Sequence, residues 1–134
     1  MLREEGLENV FARHRRHAAA TRAAVREWGL EVLCADEREH SSALTAVMVE
    51  GADDIRRLIL ERFDMSLGAG LGKVAGRVFR IGHLGDFNDL MLMGTLAGVE
   101  MGLGLAGVPV KKEGVQAAME YLASAASAPA RKVA

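Results

Sequence analysis

The chain has 134 residues, half of them hydrophobic but only 4% aromatic, with a formal net charge of −1 and a pI of about 6.4. That is enough for one domain whose core is built from Leu, Val, Ile, Met and Ala, and it gives no global field favouring nucleic acid or an anionic membrane. The one cysteine, Cys34, excludes an intrachain disulfide or a multi-cysteine metal site and fits a reducing, cytoplasmic setting.

Residues 3–28 read as one long helix. Leu7, Phe11, His14, Ala18, Thr21, Val25 and Trp28 recur in steps of four and three, which keeps them on one stripe. The basic run Arg13-His14-Arg15-Arg16-His17 shares this helix with Glu4, Glu5, Glu8 and Glu27 and has no interleaved aromatics, so it reads as a solvated or inter-subunit face rather than a nucleic-acid site. Gly29 is a natural stop. The start carries no Ser, Thr, Asp or Asn cap and no apolar signal region. The pattern begins already under way, as if cut from something longer.

Leu30 to Leu33 reads as a short strand, Ala35 to Ser42 as a polar loop and Ala43 to Val49 as a buried strand. A helix then starts near Asp53, its expected cap, with Ile55, Leu58, Ile59 and Phe63 on its apolar face. Met65 to Leu67 reads as a brief strand and Gly68 to Gly76 as a glycine-rich loop. Arg77 to Gly82 is the strand that carries Arg80. Asp86 is expected to cap the next helix, with Asp89 three residues on as in a capping box, and that helix runs from Phe87 to about Leu105. Lys112 to Ala126 forms the last helix, and 127–134 a frayed tail.

The order of helix, strands, helix, strand, helix, helix predicts an α+β fold with helices on one face of a small sheet. The expected organisation is a linking helix over 1–29, a domain over 30–126 and a tail over 127–134.

Two segments invite other readings. Leu90 to Val110 is nearly long enough to span a bilayer, but Glu100 sits inside it at a cost of roughly 2.5–3.5 kcal/mol. Gly94, Gly98 and Gly102 read instead as the small-residue face of a buried helix. The loop GAGLGKVAG fails the phosphate-loop pattern, because Leu67 stands where the first glycine belongs and Val74 follows the lysine. Its glycines let backbone come close to a ligand.

Arg80 is the most informative residue. An arginine within an apolar strand needs an anion, and guanidinium grips a carboxylate with two parallel hydrogen bonds. Two partners fit: a ligand carboxylate, or a structural one such as Asp86 or Glu50. His83 and the His40-Ser41-Ser42 run show no catalytic pattern, and no lysine sits in an apolar setting suited to Schiff-base chemistry.

The segment ERFDMSLGAGLGKVAGRVFRIGHLGD (Glu61 to Asp86) resembles the C-terminal domain of class V pyridoxal-phosphate aminotransferases, in the serine–glyoxylate and alanine–glyoxylate group. GHLGDFNDLMLMGTLAGVEMGL (Gly82 to Leu103) extends the likeness, which covers nearly the whole chain. The resemblance implies the small domain of a fold-type I enzyme that is a homodimer when whole. It implies that Arg80 binds the α-carboxylate of small amino and 2-oxo acids, and that Gly70, Leu71 and Gly72 lie near the substrate entrance. It implies PLP in the full enzyme and none bound by this chain alone, because the Schiff-base lysine and its partners belong to a large domain with no counterpart here. A stand-alone carboxylate-binding or oligomerisation module derived from such an enzyme is the alternative.

Overall fold

The computed structural model describes residues 2–125; the expected tail over 127–134 lies outside them. A short helix α1 (Leu2–Glu5) leads into the long α2 (Leu7–Glu27). The break falls at Gly6, whose φ of 86° interrupts the single helix expected over 3–28. Then come β1 (Glu31–Val32), β2 (Leu44–Met48), α3 (Ala52–Phe63), β3 (Gly68–Ala69), β4 (Val78–Gly82), α4 (Asp89–Leu105) and α5 (Gly114–Ala125).

The four strands form one antiparallel sheet in the order β1-β2-β4-β3. Its two faces differ because side chains alternate along each strand. Thr45 and Val47 on β2 pair with Ile81 and Phe79 on β4, and all four are buried. Val47, Phe79 and Ile81 join Ala24, Val25 and Trp28 of α2, Ile55 and Ile59 of α3, and Leu92, Leu96 and Leu103 of α4 in one core. This is the expected α+β layer, with helices on one face. The other face presents Leu44, Ala46, Met48 and Arg80, all half-buried.

The glycine face of α4 is a packing device. A Cβ on Gly102 would run into the Ile59 side chain, and one on Gly98 would stand 2.8 Å from Met65 Cε. Gly94 has open space around it, so the close approach involves only the later two glycines. No described helix is long and apolar enough to cross a membrane. Glu100 has a local task instead. Its Oε2 accepts hydrogen bonds from Trp28 Nε1 (2.7 Å) and from the Val115 backbone N–H (2.9 Å). One carboxylate thereby ties the end of α2 to α4 and satisfies a donor in the first turn of α5.

Four local expectations are corrected. The expected Ala18, Thr21, Val25 and Trp28 are buried, together with Val10, His17, Ala20 and Ala24, while Leu7 and Phe11 are about half exposed at 53% and 48%. α3 is preceded by Gly51 at φ 72°, not capped by Asp53, which instead accepts a hydrogen bond from Arg56. α4 is capped by Asn88, whose side chain accepts from the Met91 N–H, and not by Asp86. β3 also falls later than expected, within the glycine-rich segment, because Gly68 and Ala69 pair with Arg80 and Phe79.

Candidate functional site

Arg80 sits in the middle of β4, flanked across the sheet by Ala46 on β2 and Gly68 on β3. Both neighbours are small, so the long side chain lies between them without obstruction. Strand alternation turns Phe79 and Ile81 into the core and Arg80 to the opposite face. Its Nε is buried and has no hydrogen-bond partner. Among the described residues no carboxylate pairs with the guanidinium, so neither Asp86 nor Glu50 is its counter-ion. A buried guanidinium nitrogen without a partner carries a desolvation cost that nothing among the described residues offsets.

The Gly70-Leu71-Gly72 loop leaves β3 two residues beyond Gly68. A Cβ on Gly70 would collide with the Val74 carbonyl oxygen and stand 3.0 Å from that of Val78, so only glycine fits there. The Gly70 N–H donates to Val78 O at 2.9 Å, which pins the loop to the strand that carries Arg80. Leu71 projects outward, 68% exposed. Gly72, at φ 54°, opens a single 3₁₀ turn over Gly72–Val74. The structure thus brings the loop and Arg80 onto adjoining strands.

The segment that follows Arg80 is gripped from α2, and sequence reasoning missed this. Arg13 Nη1 donates to the carbonyls of Gly85 (2.9 Å) and Phe87 (2.8 Å), while its Nε and Nη2 hold Glu5. His14 Nδ1 donates to Val10 O, which leaves Nε2 free to accept from the Gly85 N–H at 3.1 Å. Arg16 forks onto both oxygens of Asp89 at 2.7 and 2.8 Å, and His17 Nε2 donates to Asp89 Oδ1 at 2.8 Å. Four members of the basic run are therefore anchors, and only Arg15 is exposed. Burial alone would raise the Asp89 pKa, but the bonds from Arg16 and His17 hold it below the usual carboxylate value. His17 itself is shifted down, because burial disfavours its charged form more than Asp89 favours it. Its ring edge packs on Phe87 with the centroids 6.0 Å apart.

His83 anchors the same segment on the other side. Nδ1 donates to the Ser42 carbonyl at 3.1 Å, and Nε2 accepts from the Thr45 hydroxyl at 2.9 Å. Burial pushes its pKa down to about 4. The ring is fully buried and both nitrogens are used, so it is a structural histidine.

A pyridoxal cofactor needs a lysine shielded from water at its aldehyde. Lys73, Lys111 and Lys112 are all exposed, and the described residues therefore do not fit a Schiff-base site.

No family model matches the chain. Individual proteins do. The chain is 52% identical over 124 residues to a serine–glyoxylate aminotransferase of Arabidopsis thaliana, an alignment covering 89% of this chain and 31% of that protein. It is 42% identical over 134 residues to an L-aspartate–glyoxylate aminotransferase of Paracoccus denitrificans, covering 97% and 34%. The crystal structure of pyridoxamine–pyruvate aminotransferase from Mesorhizobium loti superimposes with a TM-score of 0.85 at 28% identity, over 91% of this chain and 32% of that one. The chain spans about a third of the length of the curated relatives it matches. By sequence and by fold it is similar to the C-terminal part of these aminotransferases.

Proposed function

We propose that this chain is the substrate-carboxylate-binding domain of a PLP-dependent serine(alanine)–glyoxylate aminotransferase, with Arg80 as the group that receives the α-carboxylate. The observation that carries the reading is the unpaired guanidinium of Arg80, held half-buried between Ala46 and Gly68. Two parallel N–H···O bonds from one planar fork fix both the position and the tilt of a bound carboxylate. Amino acid and 2-oxo acid share that carboxylate, so one arginine serves donor and acceptor in turn. Holding the acid in one orientation sets its Cα against the cofactor, and such positioning supplies much of a rate enhancement. The Gly70-Leu71-Gly72 loop borders the path by which the acid enters, and α2 links this domain to the rest of the enzyme.

The cofactor, which supplies the electron sink for transamination, is placed outside these residues, since none of the described lysines suits it. On this reading the 134 residues do not transaminate by themselves, and the whole enzyme is a homodimer. The test is Arg80→Ala in an aminotransferase that carries this chain, assayed with serine and glyoxylate. Losing a charge-assisted bidentate pair of about 3 kcal/mol should lower kcat/KM about a hundredfold for donor and acceptor alike. Near-normal kinetics would sink the assignment. Transamination by the 134-residue chain mixed with PLP would overturn the claim that it is inactive alone.

A further inference from the structure

The environment of Arg80 sets which of its nitrogens can meet a ligand. Nε is sealed from solvent and has no partner, whereas the two Nη groups have no partner and are not sealed. β3 lies directly against Nε. A Cβ built on Gly68 would lie 3.0 Å from Arg80 Nε, 3.1 Å from Arg80 Cβ and 3.4 Å from Cζ. The guanidinium stem therefore rests directly on the backbone of Gly68, in the space where any other residue would carry its side chain. The contact with Cβ matters most. The tip of an arginine can swing aside, but its Cβ is fixed to the strand, so a side chain at position 68 must displace the Nε and Cζ end of the arginine and shift the two strands apart by a few tenths of an ångström.

We propose that Gly68 is a positioning residue for carboxylate recognition: its missing side chain lets the Arg80 stem lie against β3, which closes Nε and leaves Nη1 and Nη2 as the only fork. This rests on the reading of Arg80 as the carboxylate ligand and adds a geometry to it. A carboxylate can meet guanidinium side-on, through Nε and one Nη, or end-on, through both Nη groups. Only the end-on approach is open here. The acid then lies along the continuation of the arginine side chain, and its Cα is set at the far end of that line. Gly68 touches no substrate; it acts through Arg80.

Two measurements test this. In the 134-residue chain, the Arg80 Nε–H followed by nitrogen-resolved NMR should exchange with water at least about tenfold more slowly than in free arginine, and Gly68→Ala should abolish that protection while the amide spectrum stays folded. An unprotected Nε–H in the parent chain, or one unchanged by Gly68→Ala, overturns the proposal. In an aminotransferase carrying this chain, Gly68→Ala should raise KM for glyoxylate about tenfold or more through misplacement of the fork, with thermal stability and cofactor absorbance unchanged. In an Arg80→Ala background the same substitution should have no further effect, whereas an equal loss there would mean that Gly68 acts by another route and would defeat the proposal. The two failures are distinguishable. If Arg80→Ala is itself harmless, the carboxylate reading falls and this inference with it; if Arg80→Ala is damaging and Gly68→Ala is not, only the inference falls.

Discussion

Two sets of arginines face opposite fates in this molecule. Arg13 and Arg16 on α2 use their guanidinium groups on partners within the chain: the carbonyls of Gly85 and Phe87, the Glu5 carboxylate and the Asp89 carboxylate. Arg80 on β4 has none of these, although its Nε is buried. The first set is structural because its bonds are already made when the chain folds. The second keeps its donors unspent among the described residues, and these are the donors the proposed carboxylate would use. An arginine's surroundings, not its presence in a motif, separate an anchor from a receptor.

The sharpest way to break this comparison is to remove one arginine of each kind. Arg80→Ala should cost about a hundredfold in kcat/KM and nothing in melting temperature, because it deletes an unsatisfied buried donor rather than a bond. A large fall in melting temperature would place Arg80 with the structural set.

Acid should strike the anchors. His83 has a folded pKa of about 4, below the ordinary 6.5 of an unfolded chain. The unfolded state therefore takes up the proton first as pH falls. Stability is full above pH 6.5 and declines toward pH 4, by about 2–3 kcal/mol between pH 7.5 and 4.5 from this residue. His17, shifted in the same direction, adds to the slope. Denaturant titrations at the two pH values would measure the loss, and His83→Gln should flatten it; an unchanged slope would mean that His83 titrates normally.

Asp89 carries the α2 side of the grip. Its side chain is 41% exposed, which discounts the penalty of a fully buried pair to about 2 kcal/mol for Asp89→Ala. That loss should appear in the melting temperature at neutral pH. A variant as stable as the parent would show that the Arg16 and His17 bonds contribute nothing net. The smallest effect belongs to Arg57→Ala on α3. Its partner Asp54 is 75% exposed and the arginine 67%, so the change should stay within about 0.5 kcal/mol.

Much of this was legible in the sequence, and the reasons are local. Strand and helix order followed from alternation and from glycine. Arg80 stood out because a charge inside an apolar strand has few explanations. The small face of α4 was readable from the spacing of Gly98 and Gly102, and Ile59 fills the space they leave. The errors share a different origin. Asp86 and Asp53 were expected at helix starts because aspartate caps helices, but Asn88 and Gly51 stand there. Asp89, expected in a capping box, is bonded to Arg16 and His17, 73 and 72 residues away in the chain. The stripe drawn along α2 kept Leu7 and Phe11, which are exposed, and omitted His17, which is buried. Hydrophobicity marks a helix face only when another element of this chain covers it.

The sequence by itself determined the α+β architecture, the strand that bears Arg80 and the glycines that allow close approach, because each depends on neighbours a few residues apart. Tertiary structure alone decided which charges are satisfied. The basic run of α2 meets the segment after β4 only in the folded chain, and that contact consumes Arg13, His14, Arg16 and His17. Arg80 is left unpaired because the sheet turns it to the face where, among the described residues, no carboxylate waits.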